Sequence, residues 1–336
     1  MKRALIWSIF SRVAQSLLAL FGVIIVVFLL SRVLPGNPAV ALLGPKATPE
    51  NVERVIREWG LDKSYFEQFA IYLSRLLRGD LGEAYVMGYD VEKLVAERLT
   101  ASLELVLFAF ALSVAAGIPL GLLSAKRQDT KADAAISALA VLGLSFPTML
   151  VGILLLLLFG LRLGFPVGGR IDPLYNVRAY TGFMLIDTLL SGNARAFVDA
   201  LARIIPPALA LAIPLSGLLA RVTRNSVLEV MSMDFVKTAK MKMLPERVVM
   251  YRHVLRNAMI PIITVLGLYF AVVVTGDIIV ETIFAWPGLG RLIYEAVAYR
   301  DYVVIQGTVL VISAIYILVN LLVDVLYVFL DPRIRR

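Results

Sequence analysis

The chain has 336 residues, of which 60% are hydrophobic, and it carries a formal net charge of +8 at pH 7 with no cysteine and one histidine, His253. A soluble domain is usually about 45–50% apolar, so the composition indicates a membrane protein. The lack of cysteine excludes disulfides and thiolate chemistry, and a single histidine excludes a histidine-rich metal site, so we expect no metal centre.

Six continuous apolar runs are long enough to cross a bilayer, which takes about 20 residues of helix. They lie near residues 11–31, 101–124, 134–161, 204–223, 260–283 and 303–330. A β-barrel would instead show alternating segments of about ten residues. The pattern predicts an all-α polytopic membrane protein with six transmembrane helices. The first run is longer than the apolar part of a signal peptide, about 7–15 residues, so we expect it to be retained as an anchor.

Lysine and arginine are concentrated in the segments that six spans would place on one side of the membrane. These segments are the N-terminus, the connections between spans two and three and between spans four and five, and the tail at 331–336. Because cytoplasmic loops are enriched in lysine and arginine, we expect a multi-pass protein of the cytoplasmic membrane with both termini cytoplasmic. This placement of charge argues against nucleic acid as a partner. The segment 162–203, with five arginines and three aspartates, runs against the rule.

The segment 32–100 is too long for a simple connection and predicts a small helical unit on the extracytoplasmic side. Thr48 and Pro49 suit the cap and the first position of a helix, and a second, amphipathic helix follows. The predicted apolar face of that second helix consists of Phe66, Phe69, Tyr72, Leu73 and Leu76. The unit either packs on the membrane helices or lies at the outer membrane surface. We group it with the first span as residues 1–92.

The most basic stretch of the chain, KTAKMKMLPERVVMYRHVLRNAMIP, occupies residues 237–261 between two apolar runs. Asp234 is suited to cap a helix that begins at Phe235. Pro245 would end this helix and favour a second one from Glu246, which continues into the fifth span. A rigid helical protrusion of this kind can insert into a groove on a partner and transmit movement to the membrane helices.

The sequence DFVKTAKMKMLPERVVMYRHVLRNAMIP, which starts at Asp234, is similar to the cytoplasmic coupling loop of ATP-binding-cassette (ABC) importer permeases. The resemblance is to the dipeptide, oligopeptide and nickel branch, and it extends to ETIFAWPGLGRLIYEAVAYRDYVVIQG (281–307), NLLVDVLYVFLDPRIR and LPGNPAVALLG. Two departures are Thr100, where proline is usual, and Met243, where the family has a glycine at the turn. Since methionine tolerates a positive φ poorly, we expect the turn to differ and Pro245 to break the helix instead.

The resemblance implies a type I ABC importer transmembrane fold, with a five-helix core at 93–330 and a coupling loop at about 225–260. The chain would be a non-catalytic permease forming half of the translocation pathway for peptides or related small solutes, including oligosaccharides and nickel chelates. Its implied partners are a second homologous permease, two ABC ATPase subunits, an extracytoplasmic solute-binding protein and the lipid bilayer. The chain has no G-x-x-x-x-G-K-[ST] phosphate loop, so we expect it to bind no cofactor, while ATP and Mg²⁺ belong to the ATPase subunits.

Candidate site residues fall in three regions. The ATPase-docking loop comprises Asp234, Phe235, Lys237, Ala239, Lys240, Met243, Leu244, Pro245, Glu246 and Arg247. Its apolar members are the expected anchors, whereas its cations either pair with the ATPase or are ordinary cytoplasmic charges. Trp286, Pro287 and Arg291 are either a contact for the binding protein or second permease, or part of an interfacial aromatic belt. Candidates for the translocation path are Ser145 and Pro147, at a predicted kink, and Asp277.

An alternative function is that of an autonomous secondary transporter or channel, which would move solute without ATPase subunits. Such proteins often contain inverted repeats or a charged pore-lining run, and this sequence shows no clear repeat and few charges within its apolar runs. Uptake by the purified chain alone in liposomes would favour that alternative. A membrane-embedded enzyme would need a convergent acid, base and nucleophile, which the sequence does not suggest. The transported solute is not identified by the sequence.

Overall fold

The computed structural model describes residues 2–33, 38–43, 47–84, 88–274 and 276–330. The predicted tail at 331–336 lies outside these ranges. The helices within them are α1 (Lys2–Val33), α2 (Pro38–Leu43), α3 (Pro49–Trp59), α4 (Tyr65–Leu77), α5 (Val91–Lys126), α6 (Lys131–Ser145), α7 (Thr148–Leu156), α8 (Met184–Leu190), α9 (Ala194–Ser232), α10 (Asp234–Met241), α11 (Glu246–Val248), α12 (Arg256–Val273), α13 (Ile278–Ile283), α14 (Leu289–Tyr299) and α15 (Tyr302–Leu330). The strands β1 (Glu83–Ala84) and β2 (Tyr89–Asp90) form a short antiparallel pair. Two π-helical stretches, Leu157–Arg162 and Val249–Leu255, extend α7 and join α11 to α12.

The predicted all-α fold with six spans is confirmed. Among the described residues, five helices are long and apolar enough to cross a membrane, and they lie in α1, α5, α9, the α11–α12 unit and α15. A sixth span is the pair formed by α6 and α7, which meet at a bend of 98°. The bend falls at Phe146–Pro147, where a kink was predicted, because proline cannot continue the hydrogen bonding of the preceding helix.

The predicted end of the fifth span was wrong. The apolar run 260–283 is not one helix, because α12 ends at Val273 and a separate short helix, α13, follows. Gly276 has a φ of +92°, a conformation that glycine adopts readily. Asp277 then starts α13 by accepting a hydrogen bond from the backbone N–H of Val280 at 2.8 Å. Hydropathy alone does not separate the two helices, since both are apolar.

The centre of the bundle is formed by the long helices α5 and α9, with α6 packed on α9. Glycines permit the close approach: a Cβ placed on Gly117 of α5 would lie 2.8 Å from the carbonyl oxygen of Ser216. A Cβ on Gly217 of α9 would lie 2.6 Å from the carbonyl oxygen of Ala140 in α6. Small residues at helix contacts are common in membrane proteins, where association depends on close packing.

The segment between α1 and α5 packs on the membrane helices, which is one of the two placements that the sequence left open. Thr48 caps α3 as predicted, accepting from the backbone N–H of Asn51 at 3.3 Å. The predicted apolar face of α4 was partly wrong, because Phe66 is 89% exposed. Phe69 and Tyr72 do face inward, and their rings lie 5.2 and 5.7 Å from the ring of Phe28 in α1.

Helix α1 runs along α15, and the two are joined by an ion pair between Arg12 and Asp324. A carboxylate within an apolar helix is costly unless it has a partner. The contact shows that Asp324 serves the packing of the first and last spans.

Candidate functional site: a basic helical hairpin and the opposite end of the bundle

The basic stretch forms two helices joined by a tight turn, here called the basic hairpin (residues 234–255). The first helix is α10, and the second begins at α11 and continues into α12, as predicted. The helix start was predicted one residue late: Met233 is the capping position and Asp234 is the first helical residue. There the carboxylate of Asp234 lies 2.9 Å from the ammonium group of Lys237 and favours the positive end of the helix dipole.

The turn keeps a left-handed residue although the glycine is absent. Met243 has a φ of +55°, so the expectation that its conformation would differ was wrong. Its backbone N–H donates to the carbonyl oxygen of Lys240 at 2.9 Å. The side chain is 89% exposed, so the strain is confined to the backbone, where a left-handed conformation costs about 1–2 kcal/mol. Pro245 then occupies the cap position of α11, as predicted for the start of the second helix.

The base of the hairpin is buried against the two central helices. The buried side chains of this base are Leu122 and Ala125 of α5, Val227 and Val230 of α9, Val236 and Ala239 of α10, Val249, Met250 and Val254 of the π-helical stretch, and Ala258 of α12. Ala239 was expected to be an exposed docking anchor, but it is 7% exposed and faces this base. The hairpin is therefore held in a fixed orientation relative to α5 and α9.

The free face of the hairpin combines apolar and basic side chains. Phe235 and Leu244 are 43% and 38% exposed, and the cations Lys240 and Arg247 are exposed on the same two helices. Lys240, Met243, Leu244 and Glu246 also border a shallow groove of about 370 Å³. Apolar side chains at the tip, surrounded by charge, are suited to dock into a groove on another protein.

At the opposite end of the bundle, the loop at 276–300 is fixed to α5 by buried hydrogen bonds. Trp286 was predicted to present an aromatic surface, but it is 1% exposed. Its indole N–H donates to the carbonyl oxygen of Ala101 in α5 at 2.8 Å. The side chain of Trp286 therefore positions the loop and is not itself a contact surface for another chain.

A buried carboxylate, Glu281, joins the same loop to α5. It accepts a hydrogen bond from the hydroxyl of Ser102 at 2.6 Å and another from the backbone N–H of Arg291 at 3.0 Å. Ser102 also accepts from the backbone N–H of Leu289 at 2.8 Å. A Cβ at Gly288 would overlap the Glu281 carboxylate, so a larger residue there would displace that side chain. Burial raises the pKa of Glu281 to about 7, the nearby Asp277 adding to the effect, while the hydrogen bonds oppose it.

Arg291 and Pro287 are the other two residues predicted to contact another chain at this end. Arg291 forms an ion pair within the permease, whereas Pro287 borders a cavity. The guanidinium of Arg291 is paired within its own helix with the carboxylate of Glu295 at 2.7 Å. Pro287 lies on the wall of a cavity of about 800 Å³ between the start of α5 and residues 170–187. A contact of Pro287 or Arg291 with another chain stays a prediction.

The predicted path residues lie on elements that meet. Ser145 ends α6, with its hydroxyl donating to the carbonyl oxygen of Val141 at 2.8 Å, and Pro147 precedes α7. Helix α13, which begins after Asp277, packs on α7: a Cβ on Gly152 would lie 3.2 Å from Ile283. Asp277 caps α13 and so has a structural role. Whether any of these residues lines a path stays a prediction.

The two ends are separated by about the thickness of a membrane. Ala101 at one end and Leu122 at the other are both on α5. At 1.5 Å per residue their separation along the helix is about 32 Å, close to the roughly 30 Å of a hydrocarbon core. Among the described residues there is no group of three or more His, Asp and Glu side chains that could hold a metal ion.

Comparison with known proteins identifies the family. The family described as binding-protein-dependent transport system inner membrane component matches residues 117–336, and a model of the N-terminal part of such membrane components matches residues 5–104. The chain is 39% identical over 318 residues to the di/tripeptide transport system permease protein DppB of Pseudomonas aeruginosa, covering 94% of each chain. It is 37% identical over 317 residues to the dipeptide transport system permease protein DppB of Alkalihalophilus pseudofirmus, covering 94% of this chain and 95% of that protein. It is 38% identical over 333 residues to the probable D,D-dipeptide transport system permease protein DdpB of Escherichia coli, covering 98% of each.

The chain belongs to this family. It is thus a permease, the non-catalytic membrane component of an ABC importer, and its multi-pass helices place it in the inner membrane. The resemblance that the sequence showed in its basic stretch and its later loop is confirmed.

Sequence reasoning missed two ion pairs that hold the permease together. Arg224 of α9 donates two hydrogen bonds of 2.7 Å to the carboxylate of Asp133 in α6. Near the other end, Arg170 donates to the carboxylate of Glu104 in α5 at 3.1 Å through its Nε. Glu104 lies in a largely apolar segment, which was an available signal because such a charge requires a partner. Asp133 lies at the end of the charged connection between spans two and three, where the sequence gives no such signal. The identity of the partner depends on tertiary structure and cannot be read from spacing.

Proposed function

We propose that this permease is one half of the membrane pathway of an ATP-driven importer for peptides, and that the basic hairpin docks on an ABC ATPase. The observation that carries the proposal is the combination of a nearly full-length match to peptide permeases with a rigid, basic and partly apolar hairpin at one end of the bundle. The complete importer would contain a second homologous permease, two ATPase subunits and an extracytoplasmic solute-binding protein.

In this proposal ATP and Mg²⁺ act on the ATPase subunits, and the permease responds mechanically. ATP binding closes the ATPase pair, the basic hairpin moves with it, and the helices change from inward-open to outward-open. The buried base of the hairpin supports this role, because a hairpin packed on α5 and α9 moves those helices when it moves. A loop without such packing would absorb the displacement.

The proposed orientation places the basic hairpin and both termini in the cytoplasm, with the 276–300 loop and the 49–90 unit outside. The support is the distribution of lysine and arginine. Because the chain has no cysteine, Met241→Cys and Tyr89→Cys each introduce one reactive thiol at an exposed position. A membrane-impermeant maleimide added to spheroplasts should label the second variant and not the first. Labelling of Met241→Cys under these conditions would reverse the orientation.

The docking proposal is tested by co-purification from membranes. Deletion of residues 234–247 should abolish recovery of the ATPase subunits with the permease, and Phe235→Ala combined with Leu244→Ala should reduce it several-fold. The matched control is Leu139→Ala, an equally apolar substitution at an exposed position of α6. ATPase subunits retained at the normal level after the deletion would show that the hairpin is not the docking element.

The substrate proposal rests on the names of the relatives, which describe dipeptide and di/tripeptide transport. Proteoliposomes holding the complete importer and its binding protein should take up labelled di- or tripeptides in an ATP-dependent manner. Unlabelled peptides should compete, and an oligosaccharide or a nickel chelate should not. Uptake by the permease alone would instead favour an autonomous transporter.

A further inference from the structure

The inner ends of α5, α6 and α9 are joined by a network centred on Asp133. The guanidinium of Arg224 contacts both carboxylate oxygens, each at 2.7 Å, and the hydroxyl of Ser124 in α5 donates to one of them. The backbone N–H of Asp129 donates to the other oxygen at 3.1 Å. Asp133 is buried, so this is a two-point charged contact in a site largely closed to solvent. Bidentate contacts of this kind fix orientation as well as distance.

A second set of contacts keeps α6 on α9 along its length. The backbone of α6 at Ala140 approaches Gly217 of α9 so closely that no Cβ fits between them. One turn nearer the bend, a Cβ on Gly143 would lie 3.3 Å from the carbonyl oxygen of Ile213. The ion pair at the start of α6 and the glycine contacts along it leave this helix little freedom to slide or rotate on α9.

Beyond Ser145 the chain bends by 98°, and α7 leaves the direction of α6. Helix α7 packs on α13 of the 276–300 loop through Gly152 and Ile283. Only Phe146 and Pro147 connect α6 to α7. Both halves of the broken span contact α9, and α7 contacts α13 in addition.

We propose that the Asp133–Arg224 pair makes α6 part of one rigid unit with α9 and the basic hairpin, so that hairpin movement is delivered to the bend at residues 145–148. The inference rests on the proposed coupling role of the hairpin. Arg224 lies eight residues before the end of α9, and the hairpin base is packed on Val227 and Val230 of the same helix. Asp133 and Arg224 are positioning residues in this scheme. They act by fixing α6 on α9, and the proposed unit ends at the bend.

Distances between spin labels test the rigid unit in the assembled importer. The absence of native cysteine from this chain allows two exposed positions to be labelled at a time. Leu139→Cys on α6 paired with Met241→Cys on the hairpin should give the same distance without nucleotide and with ATP trapped. Leu154→Cys on α7 paired with Met241→Cys should give a distance that changes. If the α6–hairpin distance changes as much as the α7–hairpin distance, α6 does not move with the hairpin and the proposal is wrong.

Transport stoichiometry tests the ion pair itself. Asp133→Asn should lower the amount of substrate imported per ATP hydrolysed by about fivefold or more, the lower range of ordinary coupling between sites, while ATPase co-purification stays normal. Arg224→Lys, which keeps the charge and loses the two-point geometry, should have an intermediate effect. It also serves as the informative variant if Asp133→Asn does not fold. Glu229→Gln is the matched control, since it removes a carboxylate of α9 at an exposed position outside the Asp133 network.

The outcomes separate this inference from the docking proposal. Normal import per ATP in both Asp133→Asn and Arg224→Lys would overturn the role of the pair in transmission. Loss of ATPase subunits from either variant would assign the pair to assembly, which also contradicts the inference. Failure of the docking proposal has a different signature, namely ATPase subunits retained after deletion of 234–247.

Discussion

Replacing the buried carboxylate of Glu281 by an amide should remove a pH dependence from the stability of the permease. The pKa of this group rises from 4.5 to about 7 in the folded chain, mainly because of burial. A raised carboxyl pKa means that the folded state binds the proton more tightly than the unfolded state does. The contribution of Glu281 to the free energy of unfolding is therefore highest below about pH 4.5 and decreases as the pH rises to about 7.

The size of this effect follows from the shift. Each pKa unit corresponds to about 1.4 kcal/mol, so a shift from 4.5 to about 7 gives a loss of about 3 kcal/mol between acid and neutral pH. The groups facing the carboxylate are the hydroxyl of Ser102, the backbone N–H groups of Gly290 and Arg291, and the carboxylate of Asp277. The amide introduced by Glu281→Gln would keep the shape and carry no titrating proton, so its contribution to stability would be independent of pH.

The assay is thermal unfolding of the assembled, detergent-solubilised importer at a series of pH values from 4.5 to 8. The midpoint of the wild-type permease should fall by several degrees more over this range than that of Glu281→Gln. Glu97→Gln, at an exposed position of α5, is the control and should follow the wild type. Identical pH profiles for wild type and Glu281→Gln would refute the assignment of the pH dependence to this carboxylate.

Three further substitutions have expected outcomes measurable in the same assay. Met243→Gly should raise the unfolding midpoint slightly or leave it unchanged, because about 1–2 kcal/mol of left-handed strain is relieved and a mostly exposed side chain is lost; a large decrease would contradict the turn geometry. Gly217→Val should destabilise the permease strongly by pushing α6 away at Ala140, whereas normal stability would show that the helices are not in close contact. Trp286→Phe should cost about 1–3 kcal/mol, since the carbonyl oxygen of Ala101 loses a buried donor; an unchanged midpoint would contradict that bond.

The spans and the hairpin could be predicted because their signals are local. Apolar runs identify membrane helices, and Thr48, Pro147 and Pro245 act through the backbone of their immediate neighbours. The same reasoning failed where a local preference was overridden. Met243 was expected to avoid a positive φ, and the surrounding helices impose that conformation nonetheless.

The site could be predicted only in part because burial depends on what the rest of the chain covers. A tryptophan followed by proline and glycine suggests an exposed loop, yet Trp286 lies under that loop against α5. Glu281 was not among the predicted site residues, and Ser102, its partner, is 179 residues away in sequence. Pairings over such distances follow from the packing of α5 with the 276–300 loop and from no feature of either segment alone.

The geometry of α5 bears on how movement at one end reaches the other. One end of this helix packs on the hairpin base at Leu122 and Ala125, and the other end holds the 276–300 loop at Ala101 and Ser102. Close glycine contacts also join α5 to α9, so the two long helices are packed directly on each other. In the coupling proposed above, we expect this packing to carry a displacement of the hairpin to the opposite loop. The bend after α6 is the break in this scheme, so the angle between α6 and α7 is what we expect to change during transport.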